Sequence, residues 1–281
     1  MKTILLPFHD ENAGRTALDA ATLVARKFGS YLEGLLVQET PQLSFGRGMT
    51  MPAEYLTELA RQWRQFADAA REQFRLITGQ RGLAPGELET EAQGPIAGWR
   101  EMEGREAQVV AEYGRLFDLI VVGRTGGEPA GQWQETCEAA LFDTGRPVLL
   151  APAKSSAALG DTIVVAWNGS TETARTVALA MPMLAAASRV IVMSVDTGMM
   201  PGPSGRDLAQ HLARSGIAAE ALSVKAGART VGETIIHESE EAHADLLVKG
   251  AYTRSRLRQV IFGGATEHVI WNASMPVLLA H

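Results

Sequence analysis

Glycine and arginine crowd into one late segment. Residues 250–266 read GAYTRSRLRQVIFGGAT and overlap the end of an apolar run, DLLVKG at 245–250. Glycines let a backbone turn tightly and bring its N–H groups close to an anion. Gly263 and Gly264 would precede a helix carrying Glu267, Val269 and Ile270, and a helix N-terminus favours phosphate. Arg254, Arg256 and Arg258 add positive charge. Binding of a phosphate-bearing ligand is the chemistry this composition could support. The alternative is a glycine turn beside a solvated basic face. Other constellations carry less. His237 and Glu241 in HESEEAH stand one helical turn apart, but such charge runs are ordinarily solvated helix faces. Cys137 has no matched histidine for nucleophilic chemistry. The chain holds no G-x-S-x-G elbow, Walker A motif or H-E-x-x-H, and no residue is assigned to catalysis or to a metal. Trp63, Trp99, Trp133, Trp167 and Trp271 read as packing residues.

The run before this segment has a twin. DLIVVG at 118–123 precedes DLLVKG by 127 residues, and RPVLLAP at 146–152 precedes MPVLLAH at 275–281 by 129. KTILLPF at 2–8 and DTIVVAW at 161–167 form a third pair, 159 residues apart. The chain is a tandem of two related copies, with about thirty extra residues in the first.

Each copy reads as five strands alternating with helices. In copy one the strands fall near 3–7, 31–37, 88–92, 119–122 and 148–151. In copy two they fall near 162–166, 190–195, 219–224, 245–249 and 277–280. The first helix of copy one places Ala17, Ala21, Val24 and Phe28 on one face. Its counterpart places Ala174, Val177, Met181 and Leu184 together, with Ser170 as N-cap and Pro182 as a kink or early stop. Continuous Val/Ile/Leu strands between amphipathic helices predict parallel sheets covered on both faces. The extra residues give a loop at 41–51 and a helix from Pro52 to about Gly79, with Leu56, Leu59, Trp63, Phe66, Ala70, Phe74 and Ile77 on one stripe. That helix is either an over-long crossover packed on its own sheet or a lid or partner surface. The expected domains are 1–153, with the helical insertion at 41–86, and 160–281.

Composition narrows the classes. Of 281 residues 46% are hydrophobic and 21% charged, with a net charge of −6 and a pI near 5.6. That balance gives nucleic acid or an anionic membrane no general basic surface. A single cysteine excludes an internal disulfide. The start, MKTILLPFHDEN, has too short an apolar run for a signal peptide, and 176–188 is too short to span a bilayer. The expected location is the cytoplasm.

Taken together, these residues resemble the universal stress protein family in tandem form. That family's nucleotide signature, after strand four, is Gly, two residues, Gly, nine residues, Gly, then often Ser or Thr. In copy two Gly250 and Gly263 fall in register, Thr253 holds the middle position and Gly264 follows. In copy one Gly123 and Gly126 match, while Thr136 and Cys137 hold the last two positions. Strand one of the family ends in an Asp near the nucleotide. Copy one has Pro7-Phe8-His9-Asp10, displaced by one, and copy two has Ala166-Trp167-Asn168. Asn keeps the hydrogen bonding but not the charge that would help hold Mg²⁺. Val37 and Val195 match the valine that ends strand two and touches the base. Glu128 and Glu135 in copy one would repel phosphate if they point inward.

The resemblance implies a Rossmann-like five-stranded α/β sandwich for each copy. It implies a pseudo-dimer through the strands Val148–Ala151 and Val277–Ala280, leaving a homodimer of the whole chain open. It further implies ATP or another adenine nucleotide as ligand, with Mg²⁺ as its companion. The expected site in copy two is Ala166, Trp167, Asn168, Val195, Gly250, Thr253, Arg254, Gly263, Gly264 and Thr266. A weaker site in copy one is Pro7, Asp10, Val37, Gly123 and Gly126. Three functions follow: a non-enzymatic nucleotide-binding stress regulator, an interaction module whose glycine loops have lost nucleotide, or a slow ATP hydrolase.

Overall fold

The computed structural model of the chain describes residues 1–8, 12–39, 53–90, 93–124, 132–197, 199, 201–251 and 264–281. The first copy runs β1 (Thr3–Pro7), α1 (Asn12–Phe28), β2 (Tyr31–Gln38), α2 (Ala53–Gln80), the two-residue β3 (Ala84–Pro85), β4 (Ile96–Glu103), α3 (Glu106–Tyr113), β5 (Leu119–Gly123), α4 (Gln132–Asp143) and β6 (Val148–Ala151). The second runs β7 (Thr162–Ala166), α5 (Thr171–Ala185), β8 (Arg189–Val195), α6 (Gly205–Ala213), β9 (Ala219–Val224), α7 (Val231–Glu241), β10 (Leu246–Gly250), α8 (Gly264–Asn272) and β11 (Val277–Ala280).

All these strands share one sheet, in the order β3-β4-β2-β1-β5-β6-β11-β10-β7-β8-β9. Within each copy the pairing is parallel, and the strand order reverses between β1 and β5 and between β7 and β10. The copies meet where β6 pairs antiparallel with β11, with Leu149 opposite Leu278. Helices α1, α2, α5 and α6 cover one face and α3, α4, α7 and α8 the other, each over its own apolar cluster. This is the doubly wound α/β architecture, repeated.

The repeated aspartate has a structural task. Asp118 accepts hydrogen bonds from the backbone N–H of Lys2 and Thr3, and Asp245 from those of Gly160, Asp161 and Thr162. Each ties the start of strand four to the start of strand one, at the sheet edge away from the expected ligand. The linker is pinned as well: the Lys27 ammonium donates to the carbonyl of Gly160 and to Asp161, and Ser155 donates to Asp19.

Three expectations need correction. Copy one's third strand is β4 at 96–103, not 88–92. Glu87–Thr90 forms a turn, closed by a hydrogen bond from the Thr90 N–H to the Glu87 carbonyl. Residues 88–90 offer only the exposed Leu88 as an apolar side chain, whereas Ile96 and Ala97 are buried against β2. Helix α5 runs three residues past Pro182, and of its expected face Val177 and Leu184 are buried and Met181 packs on the core, while Ala174 is not on the buried side. Its buried side is Thr173, Thr176, Val177, Ala180, Met183 and Leu184, leaving Ala174 exposed. The stripe on α2 is buried only in part. Ala67, Ala70 and Phe74 pack on the sheet, but Leu56 and Phe66 stay 48% and 44% exposed. Ser170 caps α5 as its spacing indicates, accepting from the Thr173 N–H at 3.2 Å.

Candidate functional site

In an open α/β sheet, ligands sit beyond the C-terminal strand ends, where the strand order reverses. In copy two that crevice lies between the ends of β7 and β10. Gly250 ends β10, and a Cβ on it would lie 2.6 Å from the Thr173 backbone nitrogen. The glycine is required because β10 passes against the first turn of α5. Gly123 is required in the same way: a Cβ there would meet the Ala13 carbonyl oxygen at 2.0 Å. The first glycine of each loop is thus fixed by packing, whatever the loop binds.

On the other side of the crevice stands the first turn of α8. Gly264 opens the helix at φ 70°, a conformation natural to glycine. Thr266, two residues on, is buried, and its hydroxyl accepts a hydrogen bond from the Lys249 ammonium at 2.6 Å. Lys249 is the residue sequence reading passed over. It lies one position before Gly250, is 8% exposed, and also donates to the Gly250 carbonyl at 3.0 Å. Burial pulls its pKa down to about 8. The signal that could have found it is the repeat itself, because DLIVVG has Val122 where DLLVKG has Lys249.

The strand-one end is less open. Ala166 ends β7 and is buried. Trp167 is buried, and its Nε1–H donates to the Pro203 carbonyl at 2.8 Å. Gly202 comes so close to Gly169 that a Cβ on it would lie 2.8 Å from the Gly169 carbonyl oxygen. The segment after β8 therefore folds over this strand end. The Asn168 side-chain oxygen accepts from the Thr173 hydroxyl at 2.6 Å and the Ser170 N–H at 3.1 Å. Those bonds orient the start of α5, so Asn168 acts as a turn former and supplies no carboxylate for Mg²⁺. Val195 ends β8 and is buried. Thr253, Arg254 and Gly263, with Arg256 and Arg258, lie outside the described residues.

Copy one has put its equivalent positions to other uses. Asp10, Gly126 and Glu128 lie outside the described residues. Pro7 ends β1, and Val37 lies near the end of β2; both are buried. Thr136, at the third glycine position, is fully buried and donates to Glu106 at 2.5 Å. Burial pushes the Cys137 thiol up to about 12, which keeps it protonated and unreactive. Glu135 is exposed and paired with Arg105 at 3.0 Å. Arg124, the residue after Gly123, is buried and points into the other copy. Its guanidinium donates to the carbonyls of Ile270 at 2.5 Å and Ala273 at 2.7 Å, capping the end of α8.

Other features are structural. Trp133 packs edge-on against Trp271 across the two copies, and Trp99 packs against Phe8 and Phe74. Among the described residues no three His, Cys, Asp or Glu side chains converge as metal ligands, and no helix is long and apolar enough to cross a membrane. A groove lined by Arg26, Gln80, Arg81, Gly82 and Pro95 lies at the starts of the strands, away from the crevice.

This architecture places the chain among doubly wound α/β proteins. The Universal stress protein family model matches residues 160–281, the whole of the second copy. The whole chain has the fold of a universal stress protein from Archaeoglobus fulgidus, with a TM-score of 0.71 at 16% identity, covering 99% of this chain and 95% of that one. It is also similar to a putative universal stress protein from Pseudomonas aeruginosa, with a TM-score of 0.54 at 17% identity, covering 100% and 93%. A functionally unknown protein from Pseudomonas aeruginosa matches with a TM-score of 0.51 at 16% identity, covering 100% and 92%. No curated protein matches the chain by sequence.

Proposed function

We propose that the chain is a non-enzymatic stress regulator that binds an adenine nucleotide through copy two. The observation that carries this reading is the contrast between the two crevices. In copy two, Gly264 and Thr266 stand in the first turn of α8, and a buried cation, Lys249, is hydrogen-bonded to Thr266. In copy one, the matching third-glycine position is filled by Thr136 bound to Glu106, and Arg124 is committed to α8. On this reading the triphosphate lies at the first turn of α8, with Gly263, Thr253 and Arg254 beside it. The base lies toward Val195, and Ala166 and Asn168 lie near the ribose. Cytoplasmic action and the division into domains 1–153 and 160–281 belong to the same reading.

Turnover is incidental on this account. Phosphoryl transfer needs a positioned nucleophile, metal ligands and stabilisation of the transferring group. Among the described residues copy two offers only the last. Mg²⁺ has no protein carboxylate at Asn168, so the ion would enter with the nucleotide, held by its phosphates. Calorimetry with ATP tests the placement. Wild type should bind, and Gly263→Asp should bind at least tenfold more weakly; unchanged binding by the variant sinks the placement. Hydrolysis on the order of 1 per second or faster, abolished by Arg254→Ala, would make the chain an enzyme instead.

One observation favours a second reading, the interaction module. Pro203 and Gly202 fold over Trp167 and Gly169, where a nucleoside would need room. Absence of any heat with ATP on the wild-type chain would select it.

A further inference from the structure

Lys249 poses an electrostatic problem that the fold leaves unsolved. An ammonium taken out of water needs a counter-charge or must lose its proton. Lys249 has neither a carboxylate nor another anion as partner among the described residues; its two hydrogen bonds go to a carbonyl and a hydroxyl. The elements around it do not supply one. Strands β7 and β11 carry no titratable side chain. Helix α8 carries Glu267 and His268, and α7 carries Glu233, His237, Glu238, Glu240 and Glu241. None of these forms an ion pair with Lys249 among the described residues, and burial alone accounts for its lowered pKa. Copy one avoids the problem with Val122 at the same place, so the fold itself does not require a lysine there.

The geometry shows where a counter-charge could enter. The ammonium touches Thr266, in the first turn of α8, and Gly264 opens that turn. The free N–H groups of a helix's first turn already favour an anion. We propose that Lys249 is the built-in counter-charge of a phosphate site at the first turn of α8, so that the site takes up a proton together with its phosphate group. This rests on the reading of copy two as the nucleotide half and deepens it by naming the residue that stands in for the incomplete glycine signature.

The consequence is a pH dependence that an ordinary exposed phosphate site lacks, since just above neutrality such a site has nothing left to titrate. Below pH 8 Lys249 is already charged, and the phosphate finds its partner ready. Above pH 8 the phosphate must bring a proton with it. Affinity should then fall about tenfold between pH 7 and pH 9, with proton uptake approaching one per ligand at the upper end.

Calorimetry of ATP binding to the full chain at both pH values, in two buffers of different ionisation enthalpy, reads both quantities. Lys249→Met, which returns the position to an apolar side chain as in copy one, should remain folded, bind more weakly at pH 7 and lose the pH dependence. If wild type binds ATP without proton uptake, or if Lys249→Met binds as tightly as wild type at pH 7, this inference fails and the nucleotide reading stands. If wild type binds no ATP, the nucleotide reading fails. The lysine is then followed by NMR of ¹³C-labelled lysine, assigned with the variant and titrated with and without pyrophosphate. An upward shift of its titration by one unit or more with pyrophosphate upholds the phosphate site without the nucleoside. No shift overturns both.

Discussion

Gly250 and Gly123 show how a residue can look like a ligand contact and be needed for something else. Each lets the end of a strand pass the first turn of its neighbouring helix, at Thr173 and Ala13 respectively. Gly250→Ala and Gly123→Ala should each destabilise the ligand-free chain by about 1–3 kcal/mol, because the atoms met are backbone and cannot swing aside. A thermal melt without nucleotide checks this, and an unchanged midpoint would return both glycines to a purely ligand-binding role. Lys249 works the other way. Its folded pKa of about 8 lies below its ordinary value of 10.5, so the unfolded chain binds the extra proton between those values. The penalty is full below pH 8 and fades as pH rises toward 10.5. Lys249→Met should therefore be the more stable protein at pH 7, by on the order of a few kcal/mol, with the gap closing by pH 10.5. Paired denaturant titrations at the two pH values decide it. Gly250 at the end of β10 and Gly264 at the start of α8 were legible as positions from spacing. Lys249 was not, because one lysine ending an apolar run reads as a solvated strand end until the two copies are compared position by position. Asn168 was legible as a position but not in its task, since nothing in the string shows that Thr173 lies within reach of its side-chain oxygen.

Strands and helices separate what periodicity can say from what tertiary packing adds. Apart from β9, an exposed edge strand, the strands of copy two and four of the five in copy one stand out because continuous apolar runs have few other homes than a buried sheet. Strand β4 was hidden. It opens after Gly94-Pro95 and carries Gly98, signals that read as loop. Gly98 is there because a Cβ would strike the Tyr31 side chain of β2. The stripe on α2 foretold a helix correctly but could not tell which stretch meets the sheet. The difference is measurable. Phe74 contacts Phe8 and Trp99 and fills the space left by Gly34, so Phe74→Ala should cost about 3–5 kcal/mol. Phe66, two stripe positions earlier and 44% exposed, should change stability by less than about 0.5 kcal/mol when cut to alanine. Equal losses in chemical denaturation would mean that the first half of α2 is packed as firmly as the second.

The two copies form a single sheet and exchange more than strand hydrogen bonds. Arg124 leaves its own loop to cap α8 of the other copy, and Trp133 meets Trp271 nearby. Arg124→Met keeps most of the apolar contact but leaves the Ile270 and Ala273 carbonyls without their donor. It should cost roughly 3 kcal/mol and loosen the end of α8, seen as faster amide exchange at 270–273. Unaltered exchange there would reduce Arg124 to filler. The doubled strand pattern was legible from repeated strings. The cross-copy arginine was not, because no local pattern says which way a side chain leaves a loop. The position of β11 has a further consequence, in time instead of space. It is synthesised after the ten other strands yet sits in the middle of the sheet, between β6 and β10. From the moment Val148–Ala151 leaves the ribosome until Val277–Ala280 follows, the first copy carries a bare apolar border. At 5–20 residues per second that interval lasts roughly 10 s. A nascent chain stalled within it would present neighbouring chains with an open strand edge, the kind of surface that chaperones shield during translation.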